Sequence, residues 1–154
     1  LQKIVSCLLF SFLMMGFVSS NCLATSLDKI PAKESSKQWE VVVDKADSQD
    51  PTSSISDKPE LYKFYSLDIK NNGNDNIELV RVEAYRDDPN TNIEFELFTI
   101  QNDLPEKNLS PAFHHSNFPL YTKATELKVV VTWIKKSDNP NDQRKYREQF
   151  VFKQ

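Results

Sequence analysis

The sequence predicts an all-β domain, a two-sheet antiparallel sandwich of six to seven strands. Three observations carry that prediction. After residue 24, no window of eleven or more residues holds a 3.6-residue apolar period, so no amphipathic helix is specified. Six segments instead read as extended runs rich in β-branched and aromatic residues, spaced as the strands of a sandwich are. All eight prolines fall outside those six segments, as strand interiors require.

The central pair is residues 61–70 and 77–86, separated by the turn Asn71, Asn72, Gly73 and Asn74. In the first run Leu61, Tyr65, Leu67 and Ile69 share a face. In the second run Ile77 and Leu79 share one face, while Val80, Val82 and Ala84 share the other. That switch at Leu79–Val80 predicts a bulge, or a strand buried on both sides. The turn is longer than a two-residue hairpin needs, so a corner between two sheets is an alternative to a simple hairpin.

The other strands follow from the same chemistry. Residues 39–43, WEVVV, favour a pleated surface. Residues 44–59, with Asp, Ser and two prolines, read as a long loop, and 87–91, DDPNT, as a tight turn. Residues 92–100 alternate, with Ile93, Phe95 and Leu97 inward and Glu94 and Glu96 in water. Residues 101–120, holding Pro105, Pro111 and Pro119, read as the longest irregular stretch. Residues 126–135, ELKVVVTWIK, make a central strand with Leu127, Val129, Val131 and Trp133 in phase. Residues 146–152 close the domain with Tyr146, Phe150 and Phe152 in phase. Gly73 is the one glycine after residue 24, so the turns rely on Asn, Asp and Pro.

The front of the chain has another purpose. Residues 4–18 form an uncharged apolar run behind Lys3, the length of a secretory signal core and short of the ~20 residues a membrane span needs. Small residues follow at Ser20 and Ala24. Residues 1–24 are therefore predicted as a signal peptide, 25–38 as a polar linker, and 39–154 as the sandwich. Both cysteines, Cys7 and Cys22, precede residue 25, so a mature chain starting at Thr25 would have no disulfide and no thiolate metal site. Without Lys3 there are 18 basic and 22 acidic residues, intermixed and with no basic stripe. That balance argues against nucleic acid or anionic lipid as a partner.

Two resemblances arise from these residues. Cys22, just after an apolar core, resembles the lipidation site of bacterial lipoproteins, although Asn21 stands where that pattern wants a tiny residue. Lipidation would change a soluble protein into an anchored one. The asparagine-rich turn, Trp133 in its valine-rich strand and the aromatic last strand together resemble the small immunoglobulin-like sandwiches of bacterial envelope proteins. That resemblance covers residues 39–152 and implies architecture alone. No cysteine pair flanks the tryptophan as in antibody domains.

Candidate chemistry is sparse. A single glycine excludes a phosphate-binding glycine loop or dinucleotide fingerprint in the mature chain. His114 and His115 are adjacent, and adjacent side chains in extended backbone point opposite ways, which is awkward for a shared metal. Asp88, Asn90 and Asn92 have the alternate spacing of the first calcium-loop ligands, but Ile93 and Thr99 stand where that loop needs glycine and glutamate. Asp44, Asp47 and Asp50 are a weaker version of such a set. Glu94 and Glu96 would lie about 7 Å apart on one strand face. That suits an inverting glycosidase, and equally a solvated strand face. No G-x-S-x-G elbow is present.

The segment with the strongest binding character is 113–121, FHHSNFPLY, expected as a loop. Phe113, His114, His115, Phe118 and Tyr121 are its candidate contact residues, because aromatics give large contact area at low entropic cost. The alternative is that Phe118, Leu120 and Tyr121 cover the open end of the sandwich or form a seventh strand. The function expected is a non-enzymatic secreted or envelope-attached binding module for an extracellular protein or glycan, without a cofactor, in a bacterial setting. Membrane contact would come only through the signal segment or a lipidated Cys22. An accessory domain pairing through an edge strand such as 39–43, and an extracellular hydrolase, are the two alternatives.

Overall fold

Strand-forming segments sort into two sheets because each has one apolar face to bury. The structure is a computed structural model that describes residues 24–47, 60–73, 76–101, 112–136 and 144–154. Nine strands run in chain order: β1 (Thr25–Ser26), β2 (Ala32–Ser35), β3 (Trp39–Lys45), β4 (Tyr62–Asn71), β5 (Ile77–Asp87), β6 (Glu94–Gln101), β7 (Ala112–Tyr121), β8 (Glu126–Lys135) and β9 (Lys145–Lys153). One sheet has the order β1-β9-β8-β5-β6, the other β2-β3-β4-β7. All pairings are antiparallel except β1 with β9. The architecture is the expected antiparallel sandwich, with more strands. Among the described residues no helix is long and apolar enough to cross a membrane.

The core lies between the inward faces. Leu79, Val82, Ala84, Leu127, Val129, Val131 and Phe152 come from the larger sheet. Trp39, Val41, Val43, Leu67, Ile69, Phe118 and Leu120 come from the smaller, and all are buried. Trp39 and Trp133 meet across the gap edge to face, with ring centroids 5.6 Å apart. Such a contact adds roughly 0.5–1.5 kcal/mol beyond the area it buries.

The phase switch in β5 is resolved by a bulge. Leu79 pairs with Trp133 and Arg81 with Thr132, leaving Val80 without a partner on β8. The extra residue returns Val82 and Ala84 to the core-facing side already occupied by Ile77 and Leu79. The 61–86 stretch is a corner and not a hairpin, since β4 and β5 lie in different sheets. At that corner Gly73 donates its N–H to Asn71 Oδ1 at 2.8 Å, and Gln38 Nε2 donates to the same oxygen at 2.6 Å. The backbone at Gly73 does not have positive φ. A Cβ there would strike the end of the Gln38 side chain and displace it from its bond to Asn71.

Several expectations change. Residues 25–38 were expected as a polar linker, but Thr25–Ser26 and Ala32–Ser35 are strands of the two sheets. Their apolar content is low because short edge strands need only an occasional inward residue, here Ala32. The stretch 39–43 is an interior strand, flanked by β2 and β4, and not an exposed edge. The second half of the expected long loop is strand β7. Pro119 is accommodated there because β7 is the edge of its sheet and needs partners on one side only. The clean alternation expected at 92–100 breaks at Leu97, a second bulge, so that Phe98 also turns inward. The predicted signal peptide to residue 23, Cys7, Cys22, Asp50 and residues 102–111 lie outside the described residues.

Leu67→Ala removes a fully buried side chain of the smaller sheet, so it is expected to lower unfolding free energy by about 2–5 kcal/mol. Urea denaturation measures this. His114→Ala on the solvent side of the neighbouring strand should shift stability by no more than about 0.5 kcal/mol.

Candidate functional site

The five residues expected to form one contact patch are divided by strand alternation. On β7, His114 turns outward, and its Nδ1 lies 2.9 Å from Asp68 Oδ1 on β4 in an exposed pair. His115 turns the other way and stacks on Phe98 of β6, with centroids 4.2 Å and planes 24° apart. The adjacent histidines therefore do not share a ligand, as extended backbone requires. Two residues further, β7 carries a bulge. Ser116 and Asn117 face the single Ser66, which brings Phe118 back to the inner side opposite Tyr65. Phe118 is fully buried. Phe98 sits 5.5 Å from Phe118 and 6.5 Å from Phe113. These rings close the flank between edge strands β6 and β7, so most of the expected patch is a seal.

Tyr121 is the exception. At the end of β7 its ring lies 5.8 Å from that of Tyr62. The Arg86 guanidinium lies 5.1 Å from the Tyr121 ring and 4.4 Å from the Phe95 ring. Cation–π attraction of this kind is worth about 0.5–1 kcal/mol at exposed sites. Tyr62 is 37% exposed, Phe95 43% and neighbouring Ile93 57%. Tyr62, Arg86, Ile93, Phe95 and Tyr121 thus form an open aromatic surface around one arginine, at the pole where β4 begins and β5 ends. No local motif marks it, because its residues come from four strands and a turn that are separate in the sequence. The one usable signal was Tyr121 beside Pro119.

The backbone beneath this pole is held tightly. Thr122 donates its N–H to Leu61 O at 2.8 Å, tying the end of β7 to the start of β4. Ala124 N donates to Tyr121 O at 3.0 Å, which tightens the crossing from β7 to β8. The Gln154 side-chain amide nitrogen lies 3.0 Å from the carbonyl oxygens of Tyr121, Thr122 and Ala124. Asp87 accepts from Thr125 N at 2.8 Å, Glu126 N at 3.0 Å and Thr125 Oγ1 at 2.5 Å. Burial pushes the Asp87 carboxyl up, but the Thr125 hydroxyl and the two backbone N–H groups outweigh it and hold it below the usual carboxylate range. Arg86 Nη1 donates to Asp87 O at 3.1 Å, which links the arginine to the same corner.

The remaining chemical candidates have structural explanations. Asp88 accepts from Asn90 N at 3.1 Å and Thr91 Oγ1 at 3.0 Å, so the loop's own donors engage both its oxygens. Glu94 is paired with Lys128 across the outer face. There Tyr85 donates to Glu83 at 2.8 Å. That bond, with burial and the charges of Glu83 and Glu96, pushes the phenol up to about 12 despite the opposing charge of Arg147. Among the described residues, no three His, Cys, Asp or Glu side chains converge as a metal site would require. On the far flank a cleft of about 360 Å³ runs between β2 and β9, lined in part by Glu34, Ser36, Glu148 and Phe150. Its carboxylates are engaged, Glu34 by Thr25 N at 2.7 Å and Glu148 by Ser36 Oγ at 2.5 Å.

The lowered Asp87 carboxyl gives a signed prediction. A group held below its unfolded value of about 3.9 contributes stability above that pH, which is lost as pH falls through the folded value. Asp87→Asn should lower stability at neutral pH by no more than about 1 kcal/mol, given the solvent screening there. The gap to the unmodified protein should then close as the medium is acidified below pH 4 or so. Thermal unfolding across a pH series measures it.

Residues 23–154 match the profile of a family described as YozF-like secreted protein. The uncharacterized protein YozF of Bacillus subtilis (strain 168) is 29% identical over 149 residues, an alignment covering 88% of this chain and 87% of that relative. No solved structure matches significantly. The family match spans both sheets, the sealed flank and the arginine-centred pole, and the chain belongs to the YozF-like secreted protein family.

Proposed function

We propose that this secreted protein is a non-enzymatic recognition module that binds an extracellular protein or glycan of the cell surface through its aromatic pole. The observation that carries the proposal is the Arg86 guanidinium set between the rings of Phe95 and Tyr121, with Tyr62 alongside. Burying large aromatics on the surface is what a protein uses them for when contact area must come at little entropic cost. Tyr, Phe and Arg are also the residue types enriched at contact surfaces. The guanidinium is planar and flanked by two rings, so little further ordering is needed for it to meet a partner's carboxylate or hydroxyl groups. The corner hydrogen bonds from Asp87, Thr122 and Gln154 hold the platform in place before any partner arrives. A net charge of −3 for the whole chain favours a neutral or sparsely acidic partner over a polyanion.

The test is co-sedimentation of the purified protein with washed cells of its producing strain. Tyr62→Ala and Arg86→Gln are expected to reduce the bound fraction about tenfold or more, the loss that ~1.4 kcal/mol of contact energy produces. His114→Ala, on another face, should leave binding unchanged. Capture retained after protease treatment of the cells points to a glycan, and capture lost points to a protein. Full binding by both pole variants would overturn the proposal.

A further inference from the structure

Among the described residues β6 forms an outer edge of the larger sheet, with β5 on its one paired side. An edge strand presents a row of free backbone donors and acceptors, which proteins blunt with charged side chains, lysine above all, with proline, with a bulge or by keeping the strand short. β6 has eight residues, EFELFTIQ; it has neither lysine nor proline, but it carries Glu94, Glu96 and the bulge at Leu97. It is also where exposed apolar surface gathers. Of the five exposed large hydrophobics among the described residues, Phe95 and Ile100 lie on β6 and Ile93 immediately precedes it.

The bulge at Leu97 gives this edge an unusual symmetry. Phe95 opposes Arg86, Phe98 opposes Ala84 and Ile100 opposes Val82, all on the inner side of the sheet. Glu94, Glu96, Thr99 and Gln101 take the outer side, opposite Asp87, Tyr85, Glu83 and Arg81. Reading outward from the midpoint between Leu97 and Phe98, the inner and outer residues mirror each other. Directly opposed residues of an antiparallel pair must lie on the same face. Two unbulged copies could not satisfy this in a register centred between two residues, but two bulged copies of β6 do. In that register Phe95 meets Ile100 of the second copy, Glu96 meets Thr99 and Glu94 meets Gln101. The two exposed apolar side chains cover each other, and no carboxylate faces a carboxylate.

We propose that β6 is a self-pairing edge, and that two copies of this chain join antiparallel along it, with Phe95 of each against Ile100 of the other, to make one continuous sheet. The arrangement is two-fold and closed, so it gives a dimer and not a fibre. The pairing shares Phe95 with the pole, so its test reads oligomeric state and not partner capture.

Sedimentation equilibrium of the secreted chain over a wide concentration range tests this, with thermal unfolding to confirm that each variant folds. A concentration-dependent dimer is expected. Ile100→Lys should weaken it roughly tenfold or more, because it removes both symmetry-related Phe95–Ile100 pairs. The double variant Phe95→Glu with Ile100→Lys places opposite charges across both pairs and should restore the dimer. A monomer at every concentration would overturn the proposal. So would a dimer indifferent to Ile100→Lys, or a folded double variant that stays monomeric.

Discussion

An eleven-residue strand can bury one face only if its apolar residues stay in phase, and β5 does not do so unaided. Ile77 and Leu79 belong to one phase of the chain, Val82 and Ala84 to the other. The bulge at Val80 reconciles them and lets the strand face Trp133, Val131 and Val129 along one side. Without it, half of the strand would turn its apolar residues to solvent. Everything else in the larger sheet is registered on this pairing. β6 is aligned on the outer side of β5, and β9 on the far side of β8. The Trp39–Trp133 contact across the sheets depends on the same register.

The same device recurs at two of the four edge strands, β6 and β7, and decides how the flank between them closes. A bulge in β7 brings Phe118 inward against Tyr65, and a bulge in β6 brings Phe98 inward to stack on His115. Together they close one flank with rings. The opposite flank is closed by backbone and polar groups, with β1 on β9 and β2 on β3, and Thr25 reaching Glu34 between them. Because the flanks are sealed locally, the pole with Arg86 is free to be open. Asp87 and Gln154 fasten the crossing from β7 to β8 directly beneath it. A hydrogen-bonded base beneath an exposed aromatic surface is the pre-organised arrangement on which the proposed recognition rests.

The candidate site was far less legible than the fold. Phe113, His114, His115, Phe118 and Tyr121 looked like one patch because they are contiguous in the chain and carry a proline. In a strand, contiguity means division between two faces, and Pro119 did not break the strand because an edge tolerates a missing donor. Tyr62, Arg86 and Phe95 gave no local sign. An arginine at the end of a strand has no feature that says it will lie between two rings, since both rings arrive from elsewhere in the chain. Short strands with little apolar content, such as Thr25–Ser26 and Ala32–Ser35, were read as a linker for a related reason. Their place comes from partners on β9 and β3, and not from their own pattern.

The sequence by itself determined that this chain is all β and where six strands lie. It also marked a break of phase at Leu79–Val80, which the tertiary structure resolved as a bulge. These follow from period, proline placement and phase, which are properties of neighbouring residues. The tertiary structure alone decided which strands share a sheet, that the asparagine-rich turn is a corner between sheets, and which aromatics seal a flank while others face solvent. Those outcomes depend on pairings between residues far apart in the chain, and a strand's own residues state which face is apolar without naming the surface that will cover it.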